Sequence, residues 1–250
     1  MRTLRLTIAY DGTRYAGWQT QKRGEPTVQA TLERAFQHVL RAPVTVVASG
    51  RTDAGVHAMA QTAHARVPST LPCERITRAV NALLPSDIAV TRIREAPQDF
   101  HARFHAVSKR YRYRIFTGAV VPPFDRPYVH HVRAPLDVPL MRQEAHALHG
   151  RHNFVAFARA SDTARSTRRT ITDVVIRRRR QELQIEIAGN GFLHTMVRSL
   201  VGTLIDVGRG RFAPGTVRRL LRTGQRRFAG TTAPAKGLTL VSVKYPGAHE

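Results

Sequence analysis

Within the first hundred residues the hydrophobic period switches between two and 3.6 in an order that few folds accept. Leu4, Leu6, Ile8 and Tyr10 alternate, which predicts a strand over 2–10, and Asp11-Gly12-Thr13 ends it with turn chemistry. Pro26 opens a helix where a missing amide donor costs nothing. Val28, Leu32, Ala35, Phe36, Val39 and Leu40 then hold helical spacing to about residue 41. Val44-Thr45-Val46-Val47-Ala48 reads as a short buried strand, and residues 58–67 are extended. Pro72 begins a second helix, with Ile76, Ala79, Val80, Leu83 and Leu84 on one face and Pro85 at its end; a strand from Asp87 to Arg94 follows. The order is βαββαβ, the ferredoxin-like arrangement.

The second half gives the same order once inserts are set aside. Residues 107–117 form a strong strand, with Lys109, Tyr111, Tyr113 and Ile115 on one face and Arg110, Arg112, Arg114 and Phe116 on the other. Residues 118–136 are Pro-rich and irregular; Asp137 caps a helix that Gly150 stops, and residues 152–157 read as extended. Residues 171–180 and 182–188 form a hairpin. Leu193, Met196, Val197, Leu200, Val201 and Leu204 mark a long apolar helix, 214–222 a short inserted one, and 238–245 the last strand. The expected fold is α+β: two ferredoxin-like halves, 1–104 and 105–250, forming a broad sheet with a central basic cleft.

The expectation of a basic cleft rests on charge. Forty Lys and Arg against 17 Asp and Glu give a formal net charge of +23. That excess describes a partner rather than a fold, and polyphosphate ranks ahead of an anionic membrane surface. Arg predominates over Lys and suits bidentate phosphate contacts and stacking on bases, although a high-GC genome also enriches it. Cys73 is the sole cysteine, so no intrachain disulfide forms and the expected compartment is reducing and cytoplasmic. No stretch is long and apolar enough to cross a membrane, and the N-terminus enters a strand pattern directly.

Ser49-Gly50-Arg51-Thr52-Asp53-Ala54-Gly55-Val56-His57-Ala58 follows the 44–48 strand. Two glycines bracket an Arg, a Thr and an Asp, presenting one carboxylate beside one guanidinium. Nearby positive charge favours the ionised Asp53, which can serve as nucleophile, base or metal ligand. The plain alternative is an Arg-Asp pair pinning a turn. Other candidates follow the charge. Tyr111 and Tyr113 lie on a sheet flanked by Arg, a base-stacking pattern, and both equally read as core. Arg177 to Arg180 and Arg226-Arg227 read as solvated tips as readily as phosphate contacts. Ser161 to Arg168 reads as a polar, Arg-bearing loop, and the segment Arg165 to Arg169, with hydroxyls and three Arg, is the better phosphate candidate. His101 and His105 are spaced i, i+4 in a segment that does not look helical, and no metal-binding or nucleotide-cradling motif occurs, so neither metal nor cofactor is expected. Arg198 lies amid apolar residues of the 192–207 helix and reads either as a polar-face residue or as a cation for Asp53.

From Ser49 to Ala58 the chain resembles the tRNA pseudouridine synthase A family. The likeness extends to Tyr10-Asp11-Gly12-Thr13 with Tyr15-Ala16-Gly17-Trp18-Gln19, to Phe100-His101-Ala102-Arg103-Phe104 with Lys109-Arg110-Tyr111-Arg112-Tyr113, to the stretch from Gly189 to Arg198, and to Ala229 to Leu238. Two departures are visible: Gly191 stands where Ala is expected and Thr232 where Pro is expected. The resemblance implies the pseudouridine synthase fold and isomerisation of uridine to pseudouridine at positions 38–40 in the tRNA anticodon stem-loop, with no cofactor. It implies Asp53 as nucleophile, Tyr111 stacking on the target base as the exposed tyrosine, and Arg51 and Arg198 as charged partners; Arg110, Arg165 and Arg168 stand on their charge as weaker RNA-backbone contacts. It also implies a homodimer. Two other classes compete: a non-catalytic RNA-binding module, which gives Asp53 no role, and a nuclease or glycosidase, for which the loop offers one carboxylate where two are usual.

Overall fold

The computed structural model describes residues 1–21, 24–159 and 165–247. In chain order its strands and helices are β1 (Arg2–Tyr10), α1 (Val28–Leu40), β2 (Val47–Ala48), β3 (His57–Val67), α2 (Cys73–Asn81), β4 (Ile88–Ala96), β5 (Ser108–Phe116), β6 (His130–His131), α3 (Val138–His146), β7 (Gly150–Asn153), β8 (Arg168–Arg179), β9 (Glu182–Gly189), α4 (Met196–Gly208), α5 (Thr216–Thr223) and β10 (Leu238–Lys244). The fold is mixed α+β. Two compact units result: one runs over Met1–Val107 and takes up again at Thr239, the other covers Ser108–Leu238. The sequence places the division near residue 104 and keeps 105–250 together. The structure returns β10 to the first unit, because β10 pairs in parallel with β3, Thr239 opposite His57 and Leu240 opposite Ala58.

In the first unit the strand order is β4-β1-β3-β10, with β2 also on β3. β1 runs antiparallel to both β3 and β4, so each crossover helix skips a strand. Leu4, Leu6 and Ile8 are fully buried, as are Leu32 and Phe36 of α1 and Ile76 and Val80 of α2. Thr27 caps α1 by accepting from the Ala30 amide at 3.3 Å. β2 is shorter than the expected 44–48 strand. The Val46 amide donates to the Glu33 carboxylate at 2.9 Å, which removes it from the ladder and leaves Val47 and Ala48 to pair.

In the second unit the order is β5-β9-β8-β7, with β6 parallel to β5. The expected hairpin is β8 and β9, joined by Arg180 (φ 53°) and Gln181. The extended stretch expected over 152–157 stops at Asn153; Val155–Phe157 is a single 3-10 turn. α4 is buried along nearly its whole length. Glu144 of α3 is also buried and accepts from the Gly215 amide at 2.5 Å and the Val217 amide at 2.8 Å, so a carboxylate holds the start of α5. Among the described residues, no helix is long and apolar enough to cross a membrane, and no three His, Cys, Asp or Glu side chains gather as metal ligands.

Candidate functional site

Asp53 lies on the loop between β2 and β3, and the start of that loop is tied to β3. The Ser49 amide donates to the Thr62 carbonyl at 2.7 Å, and the Ser49 hydroxyl to Gln61 Oε1 at 2.7 Å. Gln61 Nε2 returns a bond to the Gly50 carbonyl at 2.9 Å. Beyond Asp53, the Val56 amide donates to the Asp53 carbonyl at 3.1 Å, with Gly55 in the left-handed region at φ 77°.

The N-terminal motif clamps this loop from a second side. The Trp18 amide donates to the Thr52 carbonyl at 3.1 Å and the Gly55 amide to the Tyr15 carbonyl at 3.3 Å. The hydroxyls of Tyr10 and Thr52 bond at 2.8 Å, and burial pushes the Tyr10 phenol up to about 12, so it stays neutral. The Gly12 amide donates to His57 Nδ1 at 3.1 Å. Gly12 and Gly17 have no room for a side chain: a Cβ would stand 2.1 Å from the Val56 carbonyl oxygen at the first and 2.7 Å from the Thr52 oxygen at the second. Asp87 anchors the outer edge, accepting from the Tyr15 hydroxyl at 2.7 Å and pairing with Arg14 at 2.6 Å. Backbone at 52–56 is therefore fixed while the Asp53 side chain is half-buried and Arg51 is exposed. Sequence reading noted the residues of the 10–19 motif and gave them no mechanical role; the cluster of glycines and aromatics was the available signal.

In the second unit the face alternation expected for β5 holds, but the exposed tyrosine does not. Tyr111 is buried at 8% exposure and Tyr113 at 0%. The Phe192 ring packs edge-on against Tyr111 at 5.1 Å, whereas the Tyr113 hydroxyl donates to the Pro234 carbonyl at 2.8 Å. Tyr111 is the less deeply buried of the two, and Tyr113 is core.

The arginine face of β5 meets acid on its neighbours. Arg110 pairs with Asp173 at 2.8 Å and Glu186 at 3.3 Å, Arg112 with Glu186 at 2.8 Å, and Arg114 with Glu182 at 2.7 Å and Asp125 at 3.0 Å. The bonds from Arg114 hold the Glu182 carboxyl below its usual range. Arg110, expected as a backbone contact, is engaged within the sheet. Arg165 and Arg168 are exposed; residues 161–164 of the expected polar loop lie outside the described residues.

Arg198 falls in the first turn of α4 and is half-buried, and its Nε donates to the Ala233 carbonyl at 2.8 Å. The Ala233 amide returns a bond to the Arg198 carbonyl at 3.1 Å. Thr195, just before α4, sits at φ 60°, a costly conformation for a β-branched residue and one that persists where its surroundings fix it. Both departures from the family pattern are accommodated. Thr232 Oγ1 lies 3.3 Å from the Ser199 hydroxyl. A Cβ on Gly191 would meet Arg169 at 3.5 Å, an ordinary contact. Gly191→Ala is therefore expected to raise stability by about 0.5 kcal/mol, by narrowing the unfolded ensemble, with unchanged activity; urea unfolding midpoints check it.

The family model described as tRNA pseudouridine synthase matches residues 6–105 and 145–246. These stretches hold Asp53 and Arg198, and Tyr111 lies between them. The chain is similar to the tRNA pseudouridine synthase A of Pelobacter propionicus, with 46% identity over 98% of this chain and 100% of that protein. It is 45% identical to that of Syntrophotalea carbinolica, over 98% and 97% of the two chains. It is 42% identical to that of Acetivibrio thermocellus, over 98% and 100%.

Proposed function

Because this chain belongs to the tRNA pseudouridine synthase family, we propose that Asp53 is the carboxylate through which it isomerises uridine to pseudouridine at positions 38–40 of the tRNA anticodon stem-loop. The observation that carries the role of Asp53 is the clamp. Bonds from the 10–19 motif and from β3 fix the loop backbone on both sides, as a reacting group requires.

The chemistry breaks the N1–C1′ bond, turns the uracil, and joins C5 to C1′; C5 loses a proton and N1 gains one. A carboxylate at the sugar serves this in either of two ways. It bonds to C1′ as N1 departs, or it takes the C2′ proton to give a glycal. Deuterium at C2′ slows only the second. The target base must leave its stack, and the Tyr111 ring is the surface offered to it. Arg51 and Arg198 supply cationic charge around the reacting nucleotide, and Arg165 and Arg168 hold phosphates. The proposed setting is a cytoplasmic homodimer acting without metal or cofactor.

The test is conversion of an unmodified tRNA transcript by purified protein, with pseudouridine mapped along the RNA. Product confined to positions 38–40 supports the reading. Intact RNA that binds tightly and stays unmodified overturns it in favour of a binding module, and strand cleavage or free uracil overturns it in favour of a hydrolase. If the Tyr111 ring stacks, Tyr111→Phe keeps far more activity than Tyr111→Ala, and stacking worth about 1–3 kcal/mol sets the gap at roughly ten- to a hundredfold. Equal losses would assign the work to the hydroxyl.

A further inference from the structure

The connector from Pro97 to His105 carries an aromatic residue that the catalytic reading does not use. Phe104 is 75% exposed, whereas Phe100, four residues earlier, is 8% exposed and packs on Tyr245 at 5.2 Å. Phe104 does not dangle. The amides of Arg103 and Phe104 both donate to His101 Nδ1, at 3.1 and 3.3 Å, and the His105 amide donates to the His101 carbonyl at 3.0 Å. The Ala102 amide donates to His64 Nδ1 at 3.2 Å, and the Tyr245 hydroxyl donates to the Ala102 carbonyl at 2.7 Å. Three rings follow one another outward: His64 to His101 with centroids 4.7 Å apart, then His101 to Phe104 at 4.3 Å with planes 34° apart.

We propose that Phe104, the exposed end of this stack, is a platform for an unpaired nucleobase of the RNA substrate, with Arg103 at its rim. The inference rests on the tRNA reading above and adds a contact to it. A large apolar ring held rigidly in water is unfavourable until a flat partner covers it, and its fixed position lowers the ordering cost when one does. The charge around the stack selects the partner. The Arg103 guanidinium lies 5.9 Å from the Phe104 ring, and the charged groups acting on His64 and His101 include Arg66, Arg103 and His105, all basic. Burial and that positive surrounding push His64 down to about 4 and His101 downward, so the inner rings are neutral at pH 7. A neutral aromatic face with a cationic rim fits a base attached to a phosphate chain, and every base offers a π-face. The stack begins opposite Val47 of β2, the strand that leads into the Asp53 loop, so platform and carboxylate share one rigid pair of strands.

The experiment uses the full chain, unmodified tRNA transcript, and Phe104→Ala, Phe104→Leu and Phe104→Trp. The Ala and Leu variants are expected to raise Kd and KM about tenfold with kcat and Tm unchanged. The Trp variant is expected to match wild type and to lose fluorescence as tRNA saturates it; Trp18, 1% exposed, gives a constant background. Wild-type Kd and KM in Phe104→Ala or Phe104→Leu, a loss confined to kcat, or unchanged emission in Phe104→Trp overturns the platform. Wild-type protein that neither binds nor converts tRNA overturns the functional reading along with it, whereas active wild type with an unaffected Phe104→Ala overturns the platform alone.

Discussion

Asp53→Asn is expected to lower kcat/KM by about 10⁴-fold or more, a loss of about 5 kcal/mol in transition-state stabilisation, while tRNA binding stays within about twofold of wild type. The substitution keeps the size and shape of the side chain and removes its charge and nucleophilicity. The loop backbone keeps fixing bonds that do not use that charge. Its fixing bonds run through Thr52, Gly55 and Val56 backbone, the Asp53 carbonyl, and the Tyr10 and Thr52 hydroxyls. Removing one negative charge from a chain of net charge +23 also leaves attraction to phosphate intact. Single-turnover pseudouridine formation and a filter-binding isotherm, run on the same preparation, separate the outcomes. Residual turnover above about one per cent, or a fall in binding that matches the fall in turnover, would remove Asp53 from the chemistry.

The largest stability effect is expected at Gly202, in the middle of α4. A Cβ there would lie 1.7 Å from the Thr231 carbonyl oxygen and 3.2 Å from the Ala233 amide nitrogen. These neighbours are backbone, and the segment carrying them is fastened at several points. The Gly230 amide donates to the Thr203 hydroxyl at 3.0 Å, the Thr231 amide to Asp206 at 3.3 Å, and Ala233 exchanges bonds with Arg198. Gly202→Ala gains helix propensity of about 1 kcal/mol and still loses, because helix and segment must separate by more than an ångström. A net destabilisation of about 3 kcal/mol is expected, or about 10 °C in Tm for a chain of this size. The displaced segment ends at Pro234, whose carbonyl accepts from Tyr113 on β5, the strand that also carries Tyr111, so tRNA turnover should fall as well. An unchanged Tm would mean the segment is not packed as described. Gly191→Ala, where the contact is ordinary, is the matched control.

The parts of the fold that local pattern governs were legible in the sequence. β1, α1, β4, β5, the β8–β9 hairpin and α4 follow from alternation or helical spacing, and Asp137 caps as its side chain dictates. What was not legible depends on groups distant in the chain. β2 is short because Glu33 takes the Val46 amide, a choice no window over 44–48 reveals. The arginines of β5 look like an RNA-binding face because acidic partners arrive only with the β5–β9 register, which sets Glu186 opposite Arg112 and brings Glu182, opposite Phe116, within reach of Arg114. At the candidate site, Asp53 stood out from its own loop chemistry. Tyr111 was separated from Tyr113 only by resemblance, and the contact that distinguishes them, Phe192 on one ring and Pro234 on the other hydroxyl, spans more than 80 residues. The clamp built by Tyr10, Gly12, Gly17 and Trp18 was equally invisible, because it closes over a loop more than 30 residues away.

The return of β10 to β3 bears on how the chain is made. Ribosomal synthesis releases β1 through β4 first and β10 roughly 130 residues after Val107, a wait of roughly ten seconds at about 5–20 residues per second. During that interval the N-terminal half of β3, at His57 and Ala58, has an unfilled edge beside the Asp53 loop. A nascent chain stalled before residue 239 therefore exposes a strand edge next to the Asp53 loop. The loop acquires this neighbouring strand only after all of the second unit has been synthesised, so the first unit is completed last.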